Sequence, residues 1–282
     1  MGLRIKTNVE SQAAQRLLST NNTEMSNSME KLSSGNRINK SADDPAGLAI
    51  SESLRAKTQG LVQAKRNAND GISLLQTAEG ALNETSNMLI RMRELTVQSA
   101  SDTVGVKERG YLNKEYQQLV QEVDRISEST EFNGRRLLGP QDGKNAVALQ
   151  IGYNGKESDV LRLQLGDSPD GINTDTLGIK GSAIDGDDRD QIAAQLDVLD
   201  NGLTTIANTR ASIGATQSRL NTAISNNSTT TENMMAARSR IRDVDYAEET
   251  AKLTQSRILT QAGLSVLTQA NQKPEMALTL LR

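Results

Sequence analysis

Two stretches set a glycine beside a lysine, Gly143-Lys144 and Gly155-Lys156. These are the residue types with which a phosphate loop wraps an anion in backbone N–H groups and covers it with an ammonium. The surrounding runs, Gly139 to Asn145 and Gly152 to Ser158, lack the spacing of a phosphate loop, so each reads as a turn. Asp185, Asp187, Asp188 and Asp190 offer oxygens to a divalent cation, but Arg189 stands where a calcium loop needs another oxygen. Carboxylates crowded before a helix instead suit the positive end of its dipole. Asn-x-Ser/Thr triplets at Asn21, Asn83, Asn226 and Asn227 fall within helical periodicities and read as composition rather than glycosylation sites. With no His and no Cys, the chain lacks the usual proton shuttle, thiolate nucleophile, disulfides and zinc ligands. No catalytic, cofactor-binding or metal-binding residues are expected, and the chain reads as a non-enzyme that uses no cofactor.

Composition points the same way. Aromatic residues make up 2% of the 282 positions, so the groups that fill wide cores and ligand pockets are nearly absent. A net charge of -3 provides no basic footprint for nucleic acid and no polybasic membrane patch. The start, Met1-Gly2-Leu3-Arg4-Ile5-Lys6-Thr7, has no apolar stretch of the secretory kind, and Lys6 stands where a myristoylation site needs Ser or Thr. No run of eighteen apolar residues occurs, which argues against membrane insertion.

What remains is periodicity. Ile192, Leu199, Ile206, Ile213, Leu220, Met234 and Ile241 recur every seven residues, interrupted by Asn227. Leu196, Leu203, Arg210, Gln217, Ile224, Thr231 and Arg238 form the companion row, which grows polar along the chain. Such a helix cannot bury its stripe alone and requires partners. Asn227, Thr231 and Arg238 are expected at a bundle end or as register-fixing residues. Leu61, Ala68, Leu75, Leu82 and Leu89 form another row, beside Ala64, Gly71, Ala78, Thr85 and Met92, whose small members should let a neighbouring helix approach closely. Asp44 and Pro45 are suited to cap and start that helix, which runs to about Ser101. Gly105 leads to a third helix carrying Leu112, Tyr116, Leu119, Val123 and Ile126, ending near Phe132-Asn133-Gly134.

A thinner stripe of Leu18, Met25 and Leu32 marks a helix from 8 to about 34, with Thr7 and Glu10 as its capping box and Gly35 after it. Val244, Ala251 and Ile258, then Leu264 and Leu267, mark a last helix that Pro274 should end. Between the helices, from about 134 to 187, Pro140, Pro169 and many glycines accompany β-like runs at Val147 to Ile151 and Val160 to Leu165, with Asn154-Gly155 as a hairpin turn.

The expected fold is therefore mainly α: a long antiparallel helical bundle or coiled coil, its N- and C-terminal helices paired, with a small β-hairpin region in the middle. Residues 1–44 plus 243–282 are expected to form a terminal coiled-coil domain. Residues 45–242 form a helical bundle domain that includes the β segment, with no large outer domain. Each buried Leu or Ile contributes about 1.5 to 3 kcal/mol, while ordering a residue costs about 1 to 2 kcal/mol. On that balance the inner bundle stands alone, and the sparse terminal pair is expected to order only against other copies.

Leu32-Ser33-Ser34-Gly35-Asn36-Arg37-Ile38-Asn39, followed by Asp43-Asp44-Pro45-Ala46-Gly47-Leu48-Ala49-Ile50, resembles the N-terminal signature of bacterial flagellin. Ala262-Gly263-Leu264-Ser265-Val266-Leu267, Gln269-Ala270-Asn271-Gln272 and Leu280-Leu281-Arg282 resemble the C-terminus of the same family. Arg93-Glu94-Leu95-Thr96-Val97-Gln98 and Glu131-Phe132-Asn133-Gly134-Arg135-Arg136-Leu137 resemble internal motifs. The resemblance implies a secreted structural protein of the bacterial flagellum, extracellular, exported through the flagellar type III apparatus and polymerised into the helical filament that serves motility. Implied partners are other copies of the chain, an export chaperone, the cap and the hook-junction proteins. A hook-filament junction protein is the alternative. Filament-core packing then falls to Leu18, Met25, Leu32, Val244, Ala251, Ile258, Leu264 and Leu267. Arg91, Leu95 and Glu115 resemble a patch sensed by an innate immune receptor in some members, or else serve as a subunit contact. Ile90 and Leu119 depart from the sensed pattern.

Overall fold

A computed structural model describes residues 7–139, 146–164, 171–186 and 188–279. Met1 to Lys6, Pro140, the Gly143-Lys144 stretch, Leu165, Pro169, Asp187 and Leu280-Leu281-Arg282 lie outside the described residues. In chain order the elements are α1 (Val9–Ser34), α2 (Pro45–Ser99), α3 (Val106–Ser129), β1 (Glu131–Phe132), β2 (Arg135–Arg136), β3 (Ala146–Gln150), a 3-10 turn (Glu157–Asp159), β4 (Val160–Gln164), α4 (Arg189–Arg242) and α5 (Tyr246–Thr279). The fold is mainly α, with the N- and C-terminal helices packed together and a small antiparallel hairpin in the middle.

Local chemistry sets the helix ends, in places differently from expectation. The cap of α1 is Asn8, whose side chain accepts from the backbone N–H of Ser11 at 3.0 Å, in place of the expected Thr7 and Glu10 box. Asn8 wins because its short amide reaches the third helical N–H directly. Gly35 ends α1 in the left-handed region at φ 70°, where glycine carries no Cβ penalty. Asp44 Oδ1 accepts from Gly47 N at 2.9 Å and caps α2, which starts at Pro45. Asp188 Oδ1 accepts from Asp190 N at 3.0 Å at the start of α4. Helix α5 continues through Pro274 to Thr279, because a missing N–H removes one rung of the ladder without forcing the chain to turn.

The expected tight turn at Asn154-Gly155 is a longer connection. Strands β3 and β4 pair from Ala146↔Gln164 to Gln150↔Val160, and residues 151–159 join them through the 3-10 turn. Asp159 closes this loop by accepting from Asn154 N at 2.9 Å. The two-residue turn lies instead at Asn133 (φ 51°) and Gly134 (φ 73°), between β1 and β2, so α3 ends earlier than expected, at Ser129.

The chain divides into two compact units, one of Met1–Lys57 with Glu232–Arg282 and one of Thr58–Thr231. Their boundaries fall inside α2 and α4. In the Thr58–Thr231 unit, Leu75, Leu82, Leu89 and Met92 of α2, Tyr116 and Val123 of α3, and Ile192, Leu199, Ile206, Ile213 and Leu220 of α4 are buried in one core. A Cβ on Gly71 would clash with Leu149 Cδ1 and come within 3.5 Å of Leu220 Cδ1, so at that small position both β3 and helix α4 approach closely. Asn67 and Asn227 donate to the carbonyls of Gln150 and Ile151 and hold the end of that strand. The polar break in the α4 row is thus a strand anchor.

Residues 171–186 form an irregular strap that adds Ile172, Leu177, Ile179 and Ile184 to the core. A polar stripe on α3 reads its backbone: Asn113 accepts from Ile184 N, Gln117 donates to Ser182 O, and Asp124 accepts from both Thr174 N and Thr174 Oγ1. Tyr116 is buried and exchanges a 2.8 Å hydrogen bond with Ser182 Oγ. Arg109, also buried, donates to Gly186 O at 3.0 Å and Ser101 O at 3.4 Å. A segment without its own ladder is satisfied by side chains, as buried backbone must be.

Candidate assembly surface

The terminal unit is built around α1 and α5, which run antiparallel: Asn8 Nδ2 donates to Ala270 O at 2.9 Å at one end, and Tyr246 Oη donates to Leu32 O at 3.3 Å at the other. A short antiparallel bridge sets their register. Arg37 N donates to Arg242 O at 2.6 Å and Val244 N donates to Gly35 O at 3.0 Å, pairing Asn36 with Asp243. Arg242 also pairs with Glu52, and Asp43 Oδ2 accepts from the N–H groups of Asn39 and Lys40, Lys40 foremost, which holds its carboxyl below the usual range.

The seam between α1 and α5 is made of small and polar residues. Ser11, Ala14, Leu18 and Ser28 are buried on α1, and Glu249, Ser256 and Ala270 on α5. Glu249, Ser256, Gly263 and Ala270 stand seven apart, and an added Cβ on Gly263 would lie 2.8 Å from Leu18 Cδ2. Helices with such small residues pack with their backbones close and bury little apolar surface per turn.

Helix α5 has a second stripe. Ala251, Ile258 and Ala262 lie on the side away from the seam row, Leu259 and Val266 flank that row, and all are exposed. Ile258 is 59% exposed, and an open depression over Ala247, Thr250, Ala251, Thr254, Gln255, Ile258 and Leu259 flanks it. A helix apolar on several sides is normally buried on several sides. Within a single chain, α5 is covered on one.

The sequence-predicted residues divide accordingly. Leu18 is buried in the α1–α5 seam; Met25, Leu32, Val244 and Leu267 are half-buried; Ala251, Ile258 and Leu264 are exposed, Leu264 at 53%. The Val244/Ala251/Ile258 row therefore leads onto the outward stripe, and the row facing α1 starts at Glu249. Sequence reading missed that row because Glu, Ser, Gly and Ala do not register as hydrophobic, although their heptad spacing was present.

Arg91 and Glu115 come together, whereas Leu95 leaves the surface. Arg91 pairs with Glu94 and Glu115, both at 2.9 Å, tying α2 to α3, and these carboxylates, Glu94 first, raise the guanidinium pKa. Leu95 is 1% exposed and belongs to the core. On the same unit, Arg93 pairs with Asp200 of α4 at 2.8 Å. Among the described residues, no group of three or more His, Cys, Asp or Glu is placed to hold a metal ion, and no helix is long and apolar enough to cross a membrane.

Two family models match this chain: "Bacterial flagellin N-terminal helical region" over residues 5–143 and "Bacterial flagellin C-terminal helical region" over residues 196–281. A flagellin of Halalkalibacterium halodurans is 44% identical over 278 residues, with 99% of each chain covered. The flagellar filament 33 kDa core protein of Treponema phagedenis is 38% identical, also with 99% of each covered. The solved structure of a putative flagellar hook-associated protein from Vibrio parahaemolyticus matches 71% of this chain and 100% of its own with a TM-score of 0.59; at 13% identity this is a likeness of fold alone.

Proposed function

The chain belongs to the bacterial flagellin family, and from that membership we propose how it serves as the structural subunit of a flagellar filament. The Thr58–Thr231 unit holds itself together, while residues 1–44 and 243–282 act as the terminal coiled-coil domain that joins copies. The observation that carries this is the outward stripe of α5, whose apolar residues have no cover within one chain. Docking it on other copies places Leu18, Met25, Leu32, Val244, Ala251, Ile258, Leu264 and Leu267 in the filament core, those in the intrachain seam as well as those beyond it. The α1–α5 pair is thinly apolar and only marginally stable in one chain, and it gains most of its order as copies add. A contact of this kind that does not close on itself generates a helical filament.

Flagellins share the filament as their site of action, outside the cell, and we infer that this chain reaches it through the flagellar export apparatus, with chaperone, cap and hook-junction proteins as partners. A terminal pair that orders late keeps the subunit slender and unassembled until then. The chain acts mechanically, without catalysis. A hook-filament junction role is not favoured, since the hook-associated likeness is of fold alone and the relatives that span the chain carry flagellin or filament names.

Ile258→Asp tests the reading. The side chain is exposed in one chain, so the variant should keep its helical signal, yet sediment as a monomer under conditions in which the unaltered chain forms filaments. Normal filaments from this variant, seen by electron microscopy, would sink the proposal.

A further inference from the structure

The chain carries Asn-Gly pairs at Asn133-Gly134, Asn154-Gly155 and Asn201-Gly202. In such a pair the glycine nitrogen can close a five-membered ring on the side-chain amide carbon of the asparagine, since no Cβ stands in the way. Closure needs the peptide between the two residues to rotate, so the surroundings decide which pair reacts. At Asn201 that peptide belongs to the α4 ladder, and Gly202 is buried against Leu89 and Leu177. At Asn133 it is the centre of a two-residue turn, φ 51° and 73°, flanked by the pairs Phe132↔Arg135 and Glu131↔Arg136. Both are held by paired backbone.

Asn154 and Gly155 are exposed, and the Gly155 N–H has no hydrogen-bond partner among the described residues. Nothing beyond the chain neighbours lies within 4 Å of the place a Gly155 Cβ would take. The hydrogen bond that opposes rotation is itself exposed, from Gln150 Nε2 to Asn154 O at 2.6 Å. The loop around this pair is nevertheless packed: Asp159 Oδ2 accepts from Asn154 N at 2.9 Å, and a Cβ added to Gly60 of α2 would lie 3.1 Å from Tyr153 Cβ.

We propose that Asn154 is a deamidation site whose isoaspartyl product releases the β3–β4 connection from α2. Gly155 N attacks Asn154 Cγ: the ring C–N bond forms as the side-chain amide C–N bond breaks, and the Gly155 proton leaves with the departing amide nitrogen as ammonia. Solvent water then opens the ring. Its hydroxyl joins the attacked carbon and its other proton restores the Gly155 N–H. Attack at Cγ gives aspartate, whereas attack at the main-chain carbonyl carbon gives isoaspartate, in which the chain runs through Cγ. The carbonyl that accepted from Gln150 is then a free carboxylate, and the backbone is one carbon longer. The new negative charge also stands close to Asp159, which holds the N–H of the same residue. Each change works against the packed loop.

The test incubates the full-length chain in mildly alkaline buffer, folded and in urea, and follows the three asparagines by peptide mass spectrometry with a fragmentation that tells isoaspartate from aspartate. In the folded chain, conversion at Asn154 should run at least about tenfold ahead of Asn133 and Asn201, and in urea the three should converge to within about twofold. Gly155→Ala should slow Asn154 severalfold with helical circular dichroism unchanged, because the position has room and its φ lies outside the left-handed region. The isoaspartyl fraction, separated by chromatography, should exchange amides over residues 151–159 faster than unmodified chain. Asn133 or Asn201 reacting first, the folded-state rate differences persisting in urea, or full speed in Gly155→Ala overturns the site. Unchanged exchange in the isoaspartyl fraction overturns its effect on the loop.

Discussion

The two units are joined by the same helices and use the same heptad spacing, but they fill it differently. In the Thr58–Thr231 unit the α4 row is Ile192, Leu199, Ile206, Ile213 and Leu220, all buried against Leu75, Leu82, Leu89 and their neighbours. In the terminal unit the buried α5 row is Glu249, Ser256 and Ala270, with Gly263 half-buried among them, while Ile258, Leu259, Leu264 and Val266 are exposed. A bulky aliphatic side chain contributes about 1.5 to 3 kcal/mol on burial, and a methyl-sized group about 0.8 kcal/mol. One seam is thus nearly sufficient, and the other leaves most of its available burial unused. Helix α4 crosses from the first regime to the second: Leu220 is buried, while Met234 and Ile241 of the same row are half-buried.

The sharpest way to break this contrast is to truncate one leucine in each seam. Leu199→Ala should destabilise the Thr58–Thr231 unit by about 4 kcal/mol, because its neighbours are packed and leave a cavity. Leu18→Ala should cost about 2 kcal/mol in the terminal unit, near the low end for such changes, because it faces Gly263, which has no side chain to lose contacts with. Denaturant unfolding followed by circular dichroism, with hydrogen exchange to assign the unit, measures both; equal losses would end the distinction. Tyr116→Phe should cost about 1 kcal/mol through the lost bond to Ser182. Burial raises the Tyr116 pKa above its ordinary 10.0, and the Ser182 bond only partly opposes this. A raised folded-state pKa means that the stabilising contribution is full below pH 10 and is lost as pH climbs through the higher folded value. Stability of the unaltered chain should therefore decline in that alkaline window, and the phenylalanine variant should lose this part of the decline. The smallest effect belongs to Asn8→Ala, about 0.5 kcal/mol and local, read as faster amide exchange over the first turn of α1.

The apolar heptads made α2, α3 and α4 legible, since rows such as Leu75, Leu82 and Leu89 carry their burial in their side chains. Asp44-Pro45 and Gly35 marked helix ends because only a few residue types satisfy those geometries. The strap at 171–186 was not legible, because it is held by polar side chains of α3 that reach across in space, and Asn113, Gln117 and Asp124 look like an ordinary wet face in sequence. The tight turn was misplaced between two Asn-Gly pairs, because the dipeptide states what the turn permits and not which flanking strands are in register. For the assembly surface, the apolar stripe of α5 was visible but its direction was not, since the row that meets α1 is written in Glu, Ser, Gly and Ala.

The antiparallel bridge pairing Asn36 with Asp243 joins stretches more than two hundred residues apart in the chain. On a ribosome the N-terminal segment emerges first, so α1 leaves the tunnel early and its partner arrives almost last. For most of translation the first helix of the chain has no mate, while α2 and α3 can already meet through local contacts. Helix α1 is thus synthesised long before the partner helix against which it packs.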